Sequence, residues 1–136
     1  MTDDEFLVAL ELCTLSERDF GHAAHVRAAY LYLDVSGFAQ ALQKIQSAIR
    51  GYAASLGKPD RYHETITIAY LALIRQALYE RGDGGGWTAF SRDNPQLLQR
   101  GLLLQFYPQA QLDSDLARRV FCCRAPDSRT NPSAWL

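Results

Sequence analysis

The sequence predicts an all-α fold, a single-domain antiparallel bundle of about five to six helices. Apolar residues recur at spacings of three and four, helix-capping residues precede these segments, and 136 residues is an ordinary length for one domain. We expect the helical domain to cover residues 1–125. The remaining residues, 126–136, are rich in proline, serine and asparagine and are expected to form an irregular tail.

Each expected helix combines an apolar stripe with a capping or breaking residue at its ends. The expected helices cover about residues 2–13, 16 or 19 to 34, 37–56, 61–81, 95–107 and 115–121, with a short one near 87–90. The third is the clearest, because Phe38, Leu42, Ile45, Ile49 and Tyr52 lie on one face. The second is apolar on nearly every face between residues 23 and 33, which is typical of a helix surrounded by others.

Composition and charge exclude several functional classes. The net charge of −1 and the sequence pI of about 6.3 lack the basic character of a nucleic-acid-binding protein. The N-terminus is acidic, unlike a signal peptide, and no apolar run reaches the ~20 residues of a membrane span. Cys13, Cys122 and Cys123 contain no CxxC spacing and are expected to be reduced thiols. We therefore expect a cytoplasmic protein with no nucleic-acid or membrane partner.

The three histidines of the chain are expected to meet at one end of the bundle. His22 and His25 are spaced i, i+3, which places them on one helix face with Cβ atoms roughly 5–6 Å apart. His63 lies near the start of the fourth helix. Short connections favour antiparallel neighbours, so the second and fourth helices should begin at the same end. The same rule brings Glu11, at the end of the first helix, to that level.

Three imidazoles at one level suggest a mononuclear metal site. Nearby helix N-termini oppose protonation and keep the imidazoles neutral, and three protein ligands with an open fourth position are typical of a catalytic metal. The ligands would be His22, His25 and His63, and the ion a divalent transition metal (zinc, iron, nickel or copper). Glu64 would act as acid/base or extra ligand, while Arg27 and Tyr62 would contact a small-molecule substrate. This hypothesis favours a metal-dependent enzyme.

Other interpretations of the same residues stay open. Helix N-termini repel a cation, so this end of the bundle could instead bind an anion, with Arg61 and Arg18 assisting. The histidines could form a hydrogen-bonded, pH-sensitive cluster in a non-catalytic interaction or regulatory module, and a helix face could pair with a second copy in a homodimer. Arg27 could pair with a carboxylate, and Glu64 could complement its helix dipole.

Two segments carry a family resemblance. Residues 20–27 read F-x-H-x-x-H-x-R, and residues 62–65 read Y-H-E-T. The chain resembles a family of small uncharacterised bacterial helical proteins that share these segments. The resemblance implies that His22, His25, His63 and Glu64 belong to one constellation, and it implies no particular reaction.

Overall fold

The structure is a computed structural model that describes residues 1–123, so residues 124–125 and the expected tail (126–136) lie outside the described part. The described chain is a compact helical bundle without strands, which confirms the all-α prediction. Its α-helices are α1 (Asp3–Glu11), α2 (His22–Val35), α3 (Phe38–Ser55), α4 (Glu64–Arg81), α5 (Trp87–Asp93), α6 (Gln109–Leu112) and α7 (Asp115–Arg119). Four 3-10 turns lie between them: Glu17–Asp19, Pro59–Arg61, Pro95–Leu98 and Leu102–Gln105.

Local capping chemistry fixes several helix starts. Thr2 and Glu5 form a reciprocal capping box at the start of α1, and Ser114 caps α7. Ser16 was one candidate for the start of the second helix. Its hydroxyl instead caps the 3-10 turn that precedes α2, and α2 itself begins later, at His22.

Helix α2 is central, as its apolar sequence predicts. It packs against both α3 and α4, and most of its residues from Val26 to Leu33 are buried. Gly57 ends α3 with a φ of 70°, a conformation that favours glycine because it has no Cβ. This turn leads the chain into Lys58 and the Pro59–Arg61 turn beside the start of α4.

The expected helix over 95–107 is wrong, because two 3-10 turns occupy this segment. Tertiary hydrogen bonds give a physical reason. The Leu97 carbonyl lies 3.2 Å from Nε2 of His22, and the Gln99 carbonyl accepts a 2.9 Å hydrogen bond from the Tyr70 hydroxyl. A carbonyl used in this way competes with the i→i+4 ladder of an α-helix.

No helix in residues 1–123 combines the length and the apolar character needed to cross a bilayer. All three cysteines carry free thiols.

Candidate functional site

His63 is the N-cap of α4 and not a residue of its first turn. Its Nδ1 accepts a 3.1 Å hydrogen bond from the backbone N–H of Ile66, and its Nε2 lies 2.7 Å from the Leu112 carbonyl oxygen. Since Nδ1 accepts and a carbonyl can only accept, the proton must be on Nε2. Both ring nitrogens are therefore used within the protein, and neither has a lone pair free for a metal ion.

Glu64 belongs to a polar network between α3 and α4. Its Oε1 accepts hydrogen bonds from Nε2 of Gln46 at 2.6 Å and from the Tyr62 hydroxyl at 2.7 Å, while its Oε2 pairs with Arg50 at 2.9 Å. The Arg50 guanidinium also lies 4.5 Å from the centre of the Tyr62 ring. Burial, followed by the hydrogen bond to Glu64, raises the pKa of Tyr62 to about 12. The network holds the predicted acid/base residue and one predicted substrate contact together.

Arg27, the other predicted substrate contact, joins α2 to α1. Its Nη2 and Nε donate to the same oxygen of Asp3 at 2.6 and 3.1 Å, and its guanidinium lies 4.5 Å from the centre of the Phe6 ring. This is the carboxylate pairing that the sequence left open as an alternative. Arg27 lines a different hollow from the histidines, beside Trp87 and the N-terminus.

Glu11 does not lie at the level of the histidines, contrary to expectation. Its carboxylate accepts a 2.7 Å hydrogen bond from Tyr32, which is about 10 Å beyond His25 along α2 at 1.5 Å per residue. The connection between α1 and α2 covers residues 12–21. A connection of this length does not force the chain to reverse in the way that the short one between α2 and α3 does.

His22 and His25 lie together on the first turn of α2, as their spacing predicts. His22 places Nε2 against the Leu97 carbonyl and packs edge-on against Tyr70, with ring centres 4.8 Å apart. His25 stacks on Phe20, with ring centres 4.3 Å apart and planes 27° from parallel. Its ring forms no hydrogen bond within residues 1–123, and its nitrogens are not fully buried, so they are accessible to solvent or to a ligand.

Both imidazoles are neutral at neutral pH. Burial, followed by the charge of His22, lowers the pKa of His25 to about 4. Burial also lowers the pKa of His22, although the bond to the Leu97 carbonyl acts in the opposite direction. A neutral imidazole can donate one hydrogen bond and accept another.

His25 forms part of the wall of two neighbouring hollows. A small one of about 40 Å³ is also lined by His22, with Ile45, Ile66 and Tyr70 among its apolar walls. A larger one of about 250 Å³, here called the His25 cavity, lies between α2 and α3. The His25 cavity is lined by Glu17, Phe20, His25, Ile49, Tyr52, Ala53, Leu56 and Arg61.

The walls of the His25 cavity are mainly apolar, and charged groups are confined to Glu17 and Arg61. Tyr52 donates its hydroxyl proton to the Leu15 carbonyl at 2.9 Å, so this hydroxyl is already engaged, and burial raises its pKa. Glu17 Oε1 accepts from Nζ of Lys58 at 2.7 Å and from Nη1 of Arg61. These two hydrogen bonds lower the pKa of Glu17.

The structure thus brings two of the six predicted site residues, His22 and His25, to one hollow. Neither hollow has His63, Glu64, Tyr62 or Arg27 in its lining. Among the residues that the structure describes, no three His, Cys, Asp or Glu side chains are grouped so that they could hold a metal ion.

Sequence reasoning missed most of the cavity lining. Phe20 lies before α2 in the sequence, and the pairing of Glu17 with Lys58 and Arg61 joins two separate connections. Arg61 was recognised only as a possible anion contact and Tyr52 only as core. The one available signal was the aromatic Phe20 beside the two histidines.

Fold and site together define a class: an all-helical bundle with a compact apolar cavity, a neutral imidazole in its wall and an ion pair beside it. Comparisons with protein-family models, with curated proteins and with solved structures found no match in any of the three. The resemblance to small bacterial helical proteins stays a prediction.

Proposed function

We propose that this chain is a small-molecule-binding module whose ligand occupies the His25 cavity. The observation that carries the proposal is the His25 imidazole, which is neutral, stacked on Phe20 and without a hydrogen-bond partner in the described chain, in the wall of an apolar cavity. Ligand sites are typically apolar hollows with a few polar groups that orient the ligand. A ligand with a donor or acceptor group would give His25 the partner that the protein does not.

The size and walls of the cavity favour a compact ligand with one ring or a short branched chain. At about 250 Å³ the cavity is smaller than the ~300–1,000 Å³ typical of drug-sized sites. Phe20, His25 and Tyr52 offer aromatic surfaces, and Ile49 and Leu56 offer aliphatic ones. A flat apolar body would be buried against these walls, which is the main source of affinity for such a ligand.

Binding is better supported than chemistry. A catalytic histidine commonly has a nucleophile or a carboxylate within hydrogen-bond reach. The one carboxylate in the cavity lining is Glu17, which is paired with two cations, and the Tyr52 hydroxyl is bonded to a carbonyl. His25 can therefore orient a ligand, while the groups around it are engaged elsewhere.

The test is a binding screen on the wild-type protein and a cavity-filling variant. A panel of small aromatic and branched aliphatic compounds is screened by NMR, with binding expected in the micromolar to millimolar range that ligands of this size reach. Ala53 is buried in the cavity wall, so Ala53→Leu should fill the cavity and abolish binding. Ala54→Leu, one residue away and exposed on the same helix, is the matched control and should bind normally.

Two results would contradict the proposal. One is that no compound in the panel binds the wild-type protein. The other is binding that persists unchanged in Ala53→Leu, provided that circular dichroism shows this variant to be folded.

A metal-dependent enzyme is the second candidate, supported by the two neutral imidazoles that share one hollow. It requires a third ligand. His63 could serve only by giving up its hydrogen bond to Ile66 or to Leu112. The cytoplasmic location and a homodimer also stay predictions from the sequence.

A further inference from the structure

The ion pair beside the His25 cavity joins two connections of the chain. Glu17 lies in the 3-10 turn before α2. Lys58 precedes the 3-10 turn before α4, and Arg61 is the last residue of that turn. Glu17 and Arg61 both line the cavity, so their interaction lies on the path between its apolar walls and solvent. All three side chains are exposed by more than a third, which places this contact at the mouth of the cavity.

The two cations converge on a single atom. Nζ of Lys58 and Nη1 of Arg61 both contact Oε1 of Glu17. Its other oxygen, Oε2, forms no hydrogen bond within residues 1–123. Lys58 and Arg61 thus form a position in which one carboxylate oxygen accepts from two cationic donors, here called the two-donor position. In this structure the Glu17 side chain occupies it.

The charges at the mouth do not cancel. Two cations contact one carboxylate, so the three side chains that are in direct contact carry one net positive charge. Two further carboxylates belong to the same two turns. Asp19 accepts a hydrogen bond from Ser16 and lines a different hollow, and within residues 1–123 Asp60 forms no ion pair with Lys58 or Arg61. Exposed ion pairs of this kind are weak, so a competing anion can displace Glu17 at little cost.

We propose that the ligand of the His25 cavity is a small organic carboxylate, whose charged group displaces Glu17 from Lys58 and Arg61. The inference rests on the proposed function and assigns the chemical class of its ligand. The apolar body of the ligand lies against Phe20, Ile49 and Leu56, and the carboxylate takes the place of the Glu17 side chain. Glu17 is then an internal competitor for the position that the carboxylate of the ligand takes beside Lys58 and Arg61.

The test compares a carboxylate with its neutral isostere. Phenylacetate and phenylacetamide have the same shape and one aromatic ring, and differ in charge. Titration followed by NMR should show the wild-type protein binding phenylacetate more tightly, by about two- to fivefold, the range expected of an exposed ion pair. The preference should decrease with added salt, because the mouth is exposed.

Variants at the mouth make the inference specific. Glu17→Gln removes the competitor and should tighten phenylacetate binding severalfold while leaving phenylacetamide unchanged. Arg61→Gln should weaken phenylacetate binding. Asp19→Asn is the matched control: like Glu17→Gln it removes one negative charge from the turn Glu17–Asp19, but Asp19 does not contact Lys58 or Arg61. This variant should bind phenylacetate about as tightly as the wild type.

The outcomes separate this inference from the proposed function. Equal binding of the acid and the amide, unaffected by Glu17→Gln, would overturn the carboxylate assignment and leave the small-molecule site standing. Displacement of Glu17 would be refuted if Glu17→Gln bound phenylacetate more weakly than the wild type. It would also be refuted if Asp19→Asn tightened phenylacetate binding as much as Glu17→Gln does. Failure of both compounds and of the wider panel to bind would end the proposed function, and the inference with it.

Discussion

His22 and His25 are three residues apart on one helix, yet their surroundings make them chemically different. His22 is oriented by the Leu97 carbonyl, which also favours its protonated form. His25 has no such contact and is surrounded by Phe20 and apolar residues. Its charge state therefore depends chiefly on burial, which penalises the imidazolium.

Stability should depend on pH through His25. Its pKa is about 4 in the folded protein and ordinarily 6.5, so between these values the unfolded chain binds more protons. The stabilising contribution is complete above about pH 6.5 and is lost as the pH falls towards about 4. Between pH 7 and pH 5 the free energy of unfolding should decrease by about 2 kcal/mol through this group.

Urea denaturation of wild type and His25→Gln at pH 7 and pH 5 measures this effect. The variant should lose less stability on acidification, because it lacks the imidazole whose protonation the folded state disfavours. His22, Glu17 and Arg61, which face His25, are present in both proteins, so the difference between them reports on His25. An identical decrease in both proteins would show that His25 does not carry the pH dependence.

At the scale of the elements, the start of α4 differs from expectation by three residues. Pro59–Arg61 forms a 3-10 turn and Tyr62 is extended, so the helix begins at Glu64 and His63 becomes its cap. Histidine is not among the usual capping residues, which are Ser, Thr, Asp and Asn. The sequence alone therefore did not indicate that the His63 ring would accept a hydrogen bond from the backbone N–H of Ile66.

Replacement of His63 should destabilise the protein through α4. His63→Ala leaves the N–H of Ile66 and the carbonyl of Leu112 without their partner, and only 8% of His63 is exposed. We expect a loss of about 1–3 kcal/mol in the free energy of unfolding. His63→Asn can still cap the helix and should recover about 1 kcal/mol of it. Chemical denaturation measures both, and equal stability of His63→Ala and wild type would contradict the capping role.

At the scale of the whole molecule, the question is whether distant segments place three histidines around one ion. His63 contacts Leu112, near the C-terminal end of the described chain, whereas His22 contacts Leu97 and His25 contacts Phe20. A three-histidine site needs His63 to exchange a hydrogen bond for a metal bond. Loss of an imidazole ligand would then remove the metal.

Elemental analysis of protein purified without a metal-affinity tag decides between the two candidate functions. The metal hypothesis expects near-stoichiometric metal in the wild type and its loss in both His63→Ala and His63→Asn. The latter keeps a capping group, so the loss cannot be attributed to a frayed helix. For a ligand-binding module we expect no stoichiometric metal, and no uptake of Zn²⁺, Fe²⁺, Ni²⁺ or Cu²⁺ that depends on His63.

The sequence by itself determined what depends on neighbours along the chain. Thr2 as the cap of α1, the amphipathic α3 and the pairing of His22 with His25 on one face all follow from residue type and short spacing along the chain. The apolar composition of α2 likewise indicated its central position.

Only the tertiary structure decided how these elements are used. Hydrogen bonds to the Leu97 and Gln99 carbonyls accompany 3-10 turns in a segment that was expected to be helical. The bond between His63 and Leu112 and the contact of Glu17 with Lys58 and Arg61 join segments that are far apart in sequence. Such contacts have no local periodicity, because they arise from the packing of whole elements. For that reason the His25 cavity, formed between α2 and α3, became visible only in the folded chain.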